Sequence, residues 1–231
     1  MTGAEFDKYA PDYSAMHQSS VAFSGCEIAY FADYKIVRAS QVFKQNCGAS
    51  DRLLDFGCGT GASVPYFNRY IPGTIPICAD VSTHSLTIAE QRFPGMAQYL
   101  PIEGERLALD DASVGMCFSS CVFHHIPNGQ HAAWLSELRR VVRPGGPLLI
   151  FEHNPLNPLT RHAVDRCEFD KDAILLRAGT LKAALQASGW RYREIRYHVF
   201  FPGFLKQLRP MESLLGWLPL GGQYSVLAIR S

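Results

Sequence analysis

The chain has 231 residues, a formal net charge of +1, 47% hydrophobic residues and 19% charged residues, the proportions of an ordinary globular domain. Such a balance offers no track for a polyanion, which excludes nucleic acid as a partner, and no apolar run reaches the length of a membrane span. The start lacks the basic-then-apolar order of a secretion signal, and the seven cysteines are odd in number with no C-x-x-C pair, a pattern of reduced thiols in a cytoplasmic protein.

Residues 1–48 read as a helical cap. A helix over 5–18 places Phe6, Tyr9, Tyr13 and Met16 roughly on one face. A second over 26–45 repeats the pattern with Ile28, Phe31, Ile36, Val37 and Phe43 before Asn46-Cys47-Gly48 stops it. From residue 49 onward, strands and helices alternate. Strands are predicted at 52–55, 75–80, 97–101, 114–120 and 147–152, with helices at 62–70, 82–93 and 130–142 between them. Ser82 is the N-cap of the second of these helices. Such alternation predicts a parallel sheet covered on both faces. Beyond a loop at 154–158 come helices at 159–167 and 180–188, a long strand at 191–201, and a helix over 205–217 broken at Pro210. The 202–221 segment reads as a lid insertion, and 223–230 as the last strand.

The chemistry concentrates in Leu53-Leu54-Asp55-Phe56-Gly57-Cys58-Gly59-Thr60-Gly61. Glycines at alternate positions let the backbone turn sharply after a strand and bring N–H groups against a ligand. Asp55, two residues before the first glycine, would repel a pyrophosphate and hold an ammonium group. That combination suits a nucleoside with a positive amino-acid tail, as in S-adenosylmethionine. Gly57, Gly59 and Ala62 also satisfy the dinucleotide pattern, with Asp80 about twenty residues on, so a nicotinamide oxidoreductase is the competing reading of this motif alone. Asp80, closing Ile75-Pro76-Ile77-Cys78-Ala79, can accept hydrogen bonds from two ribose hydroxyls, with Val81 offering an apolar surface to the adenine.

Leu53 to Ser63 resembles the first motif of the class I S-adenosylmethionine-dependent methyltransferases. Ile77-Cys78-Ala79-Asp80, the stretch Phe118 to Ile126 with its His124-His125 pair, and Arg139 to Gly146 stand at that family's spacing. The resemblance implies a Rossmann-like α/β fold with a seven-stranded, mostly parallel sheet, an antiparallel last strand and helices on both faces. It also implies S-adenosylmethionine as cofactor and a small-molecule methyl acceptor. The chain is most similar to small-molecule enzymes of the ubiquinone-biosynthesis type, and its 154–176 segment resembles proteins of glycolipid-related contexts, so the acceptor is expected to have apolar character.

By the same resemblance, Asp55, Gly57, Cys58, Gly59, Gly61, Asp80, Val81 and Cys121 surround the cofactor. Glu103, followed by Gly104, accepts from the adenine amino group, and Tyr13 either folds over the cofactor or packs on an aromatic helix face. His124, His125, Glu152 and His153 end the fourth and fifth strands and are the candidates for moving a proton. No helical H-x-x-x-H spacing marks a metal site. Residues between Tyr197 and Leu220 are read as a mixture of acceptor pocket and core. A catalytically silent binding module is the reading from a third functional class.

Overall fold

The computed structural model describes Asp7 and residues 28–231; the 5–18 helix and Tyr13 lie outside the described residues. A long helix, α1 (Ile28–Asn46), leads into a seven-stranded sheet. In chain order follow β1 (Leu53–Phe56), α2 (Val64–Tyr70), β2 (Ile77–Asp80), α3 (Thr83–Arg92), β3 (Gln98–Pro101), β4 (Met116–Ser120), α4 (His131–Val141) and β5 (Pro147–His153). The C-terminal part adds α5 (Pro158–Asp165), α6 (Ala178–Ala187), β6 (Trp190–His198), α7 (Glu212–Leu215) and β7 (Gln223–Arg230).

The strand order is β3-β2-β1-β4-β5-β7-β6. The first five strands are parallel, and β7 runs antiparallel between β5 and β6. Strands β1 and β2 are buried at every position, which is why they read as continuous apolar runs and not as alternating ones. The edge strand β3 is the most exposed of the first five.

Alternate side chains of each strand feed two cores. On one face Ile36, Ala39 and Phe43 of α1 and Phe67 of α2 pack against Leu53, Met116, Phe118 and Phe151. On the other, Trp134, Leu135 and Leu138 of α4 and Leu181 and Leu185 of α6 cover Leu54, Phe56, Cys117 and Ile150. Helix α1 is thus a full layer of the sheet's packing.

The chain runs outward from β1 through β2 to β3, then crosses back to place β4 on the other side of β1. Asp55 pairs with Cys78 on one side and Phe118 on the other. At such a reversal the loops after neighbouring strands diverge and leave a crevice at the strand C-termini.

Two predicted elements end differently in the structure. The strand expected over 191–201 stops at His198, because Val199 adopts a left-handed backbone (φ 63°). The N–H groups of Val199, Phe200 and Phe201 then donate to the Glu212 carboxylate instead of to a neighbouring strand. The expected helix over 205–217 is a tight 3₁₀ stretch, Gly203–Met211, followed by the single turn of α7. Pro210, which lacks an N–H, sits inside it.

Candidate active site

A cavity of about 580 Å³ opens at the reversal point, and the glycine loop forms its floor. The Gly57 and Cys58 N–H groups donate to the Ala79 carbonyl, tying the loop to the end of β2. Gly57 has φ +76°, and a Cβ there would fall 2.3 Å from Val122 Cγ2; only glycine fits. Gly59 lines the cavity and donates its N–H to Asp80 Oδ2 at 2.8 Å. Gly61 does not line the cavity: a Cβ there would meet Ala89 of α3 at 3.0 Å and Phe93, just after that helix, at 3.2 Å.

Asp80 is anchored further by the Ser82 N–H at 2.9 Å. Burial pushes its carboxyl up, and the backbone N–H groups of Ser82, Gly59 and Val81 pull it back down. Ser82 caps α3 as predicted, accepting from Ser85 N, and its hydroxyl donates to Asp7 at 2.5 Å.

Asp55 is buried beneath the loop, and its Oδ2 has no hydrogen-bond partner among the described residues. Burial, and then repulsion from Asp80, push its pKa up to about 8 against the opposing pull of Lys35. A buried carboxyl in such a place holds its proton when the cavity is empty and ionises when a ligand brings a cation to it. An α-ammonium group fits that requirement, and Asp80 stands ready for hydroxyls at the end of the neighbouring strand on the same floor.

Val81, Gly104, Cys58 and Cys121 line the cavity. Glu103 does not: it is exposed and faces a separate depression with Leu100 and Arg106, whereas its neighbour Glu105 reaches the cavity. The β3 strand and its turn, with a bridge between Glu103 and Arg106, set which acid turns inward. None of the residues from 200 to 220 lines the cavity, and Phe204, Leu214 and Trp217 are exposed, so the acceptor-pocket reading of that segment is corrected.

The far wall carries a histidine cluster. Glu152 is fully buried and does not line the cavity. Its Oε1 accepts from Val122 N and Phe123 N at 3.1 and 2.7 Å, and its Oε2 lies 2.5 Å from His124 Nδ1. Glu152 therefore holds the turn after β4 and orients a histidine; it does not face a substrate. His124 Nε2 and His125 Nε2 point at the same oxygen, Asp170 Oδ1, at 3.6 and 3.3 Å. Burial alone would lower the His124 pKa, but Glu152 and Asp170 together raise it to about 10, while burial lowers His125.

His153 lines the cavity with Nδ1 3.4 Å from Gln223 Nε2. Burial works against its charge, and the neighbouring Cys121 raises its pKa. Cys121 itself, in a left-handed backbone (φ 58°), is lowered to about 6 because Lys35 and His153 outweigh burial.

Lys35 and Asp170 also line the cavity, and no motif in the sequence marks them. Lys35 projects from α1, buried, with Nζ 2.8 Å from Ser120 Oγ and 3.4 Å from Cys121 Sγ. A lysine flanked by Phe31, Ile36 and Ala39 on an apolar helix face was the available signal. Asp170 sits in a short 3₁₀ turn (Glu168–Asp170) with no pattern of its own.

Comparison with known proteins supplies the chemistry this floor suggests. Residues 54–150 match the family described as "Methyltransferase domain". The chain is 34% identical over 114 residues to a human thiol S-methyltransferase, covering 46% of this chain and 45% of that protein. It is 30% identical over 149 residues to a demethylmenaquinone methyltransferase of Chlamydia caviae, covering 64% and 59%. The chain thus spans about half the length of these curated relatives. Its fold matches a crystal structure of a S-adenosylmethionine-dependent methyltransferase from Thermotoga maritima with a TM-score of 0.66 at 18% identity, covering 98% of both chains. Sheet order, glycine loop, paired acids and the family match over residues 54–150 agree, and the chain resembles the class I S-adenosylmethionine-dependent methyltransferases.

Proposed function

We propose that this chain transfers a methyl group from S-adenosylmethionine to a nucleophilic oxygen, nitrogen, sulfur or carbon of a small molecule bound in the cavity. The observation that carries this is the buried Asp55 Oδ2, a carboxylate oxygen without a partner among the described residues, beside a glycine loop and within reach of Asp80. Asp55 would hold the ammonium of the amino-acid tail, Asp80 the ribose hydroxyls, and Val81, Gly104 and Glu105 the adenine, with Glu105 taking the place expected for Glu103. The cofactor supplies an already reactive sulfonium, so the protein's contribution is chiefly position.

Helix α1 closes one wall through Phe31, Ala32 and Lys35, which excludes water from that side. Where the acceptor carries a proton at working pH, His153 is placed to take it. Its ring lines the cavity; His124 lines it too, but with both nitrogens turned to Glu152 and Asp170. Among the described residues no helix is long and apolar enough to cross a membrane.

Calorimetric titration of S-adenosylhomocysteine tests the binding half. Asp55→Asn removes a charge-assisted bond of about 1.5–3 kcal/mol, so affinity should fall roughly 10- to 150-fold. Transfer of a labelled methyl group to a panel of thiols, quinols, carboxylic acids and amines tests the catalytic half. The acceptors named for the relatives, a thiol and a demethylmenaquinone, head that panel. Unchanged affinity in a folded Asp55→Asn variant overturns the cofactor placement. Tight cofactor binding with no transfer to any member, or transfer only to a protein or nucleic acid, overturns the acceptor class.

A further inference from the structure

The wall opposite the glycine loop carries an arrangement that methyl transfer does not require. His124, His125 and Asp170 each offer one ligand atom, and the three atoms lie within 4.8 Å of one another. The two imidazole Nε2 atoms approach a single carboxylate oxygen at 3.6 and 3.3 Å. Around a tetrahedral cation with metal–ligand bonds of about 2.0–2.2 Å, neighbouring ligand atoms stand about 3.3–3.6 Å apart. The two nitrogen–oxygen separations already match. All three residues line the cavity, so a fourth coordination position would open into it.

Metal-binding histidines almost always donate the second ring nitrogen to a carboxylate or carbonyl, which settles the tautomer and aims the first. Here Glu152 does that for His124 at Nδ1 and is itself pinned by two backbone N–H groups. A simple ion pair between His124 and Asp170 would leave the convergence of His125 on the same oxygen, and a second buried carboxylate behind His124, without a purpose. Two imidazoles and one carboxylate with an open position form the donor set of zinc and related transition metals, not of magnesium or calcium, which take oxygen ligands.

We propose that His124, His125 and Asp170 bind one divalent transition-metal ion, oriented by Glu152, on the wall of the cavity. Its chemical class is that of zinc, and the open position suits an anionic oxygen or sulfur of a small molecule. The inference is independent of methyl transfer, and its test does not involve turnover.

The full chain, stripped with a chelator and dialysed, is titrated with Zn²⁺ by calorimetry and with Co²⁺ by visible absorption. One equivalent per chain is expected, with the intense ligand-field bands of tetrahedral cobalt and no sulfur-to-cobalt charge transfer. His125→Ala and Asp170→Asn, each checked for a native circular dichroism spectrum, should each lose at least 100-fold in affinity. Glu152→Gln should lose about 10- to 100-fold, the usual effect of removing the outer carboxylate. No binding tighter than millimolar in the wild-type chain overturns the proposal. So does stoichiometric binding that survives both ligand variants, and so does a charge-transfer band placing the metal on the cysteines.

Discussion

Gly57 and Gly59 sit two residues apart in one loop, yet the fold asks different things of them. A side chain at Gly57 would collide with Val122, while a Cβ at Gly59 meets nothing within 4 Å. Gly57→Ala should therefore destabilise the whole chain, by about 1–3 kcal/mol from overpacking and left-handed strain. Gly59→Ala meets no clash and should cost only the left-handed strain of its own backbone (φ +52°), about 1–2 kcal/mol, while cofactor affinity falls because the added methyl stands in the ligand's space. Urea midpoints and S-adenosylhomocysteine titrations on the two variants separate these outcomes. Equal losses of stability in both would contradict the assigned geometry.

Asp55 makes a second residue-scale case, with an explicit sign. Its folded pKa, about 8, lies above the ordinary carboxylate value. Its contribution to stability is complete below that ordinary value and is lost as pH rises toward about 8, since the folded chain then holds a proton that the unfolded chain has released. Within this window one proton is worth about 1.4 kcal/mol per pH unit. Asp55→Asn should flatten that slope, making the ligand-free variant more stable than wild type at pH 8 while it binds cofactor poorly. Denaturation midpoints at pH 5, 6.5 and 8 provide the comparison; parallel pH profiles for the two proteins would refute it.

At the scale of elements, the stretch between β6 and β7 is held by side chains and not by a regular ladder. Glu212 takes the N–H groups of residues 199, 200 and 201. Asn154, after β5, donates to the carbonyls of Pro219 and Gly221, and Thr160 of α5 donates to that of Gly222. Glu212→Ala should leave three N–H groups without their acceptor, at a cost of about 1–3 kcal/mol. Hydrogen exchange should accelerate at residues 199–201 with little change at β1 and β4. Unaltered protection there would show that the carboxylate is dispensable. Phe204, Leu208, Met211 and Leu214 of this segment stand exposed, and the segment contributes no residue to the cavity.

Over the whole molecule, local sequence determined what depends on local physics. Continuous apolar runs alternating with amphipathic helices reported a parallel sheet, because doubly covered strands are buried on both faces. Ser82 was legible as a cap, and the Gly57–Gly59 loop as a ligand floor, since turn sterics and orphan N–H groups act within a few residues. Asp55 and Asp80 were legible because one stands next to last in its strand and the other ends its strand, both beside that loop.

Only the tertiary structure decided the rest. Lys35 and Asp170 reach the cavity across 86 and 46 residues of chain from Cys121 and His124, so no spacing rule links them to the site. Glu152 and His153 are adjacent, but strand alternation sends the first into the core to hold His124 and the second to the cavity wall. Beyond β3, a left-handed Gly104 (φ 69°) separates Glu103 from Glu105, and only the second reaches the cavity. Composition and motif establish which chemistry the residues can perform; which of them meet depends on strand order and packing, and these are properties of the folded chain as a whole.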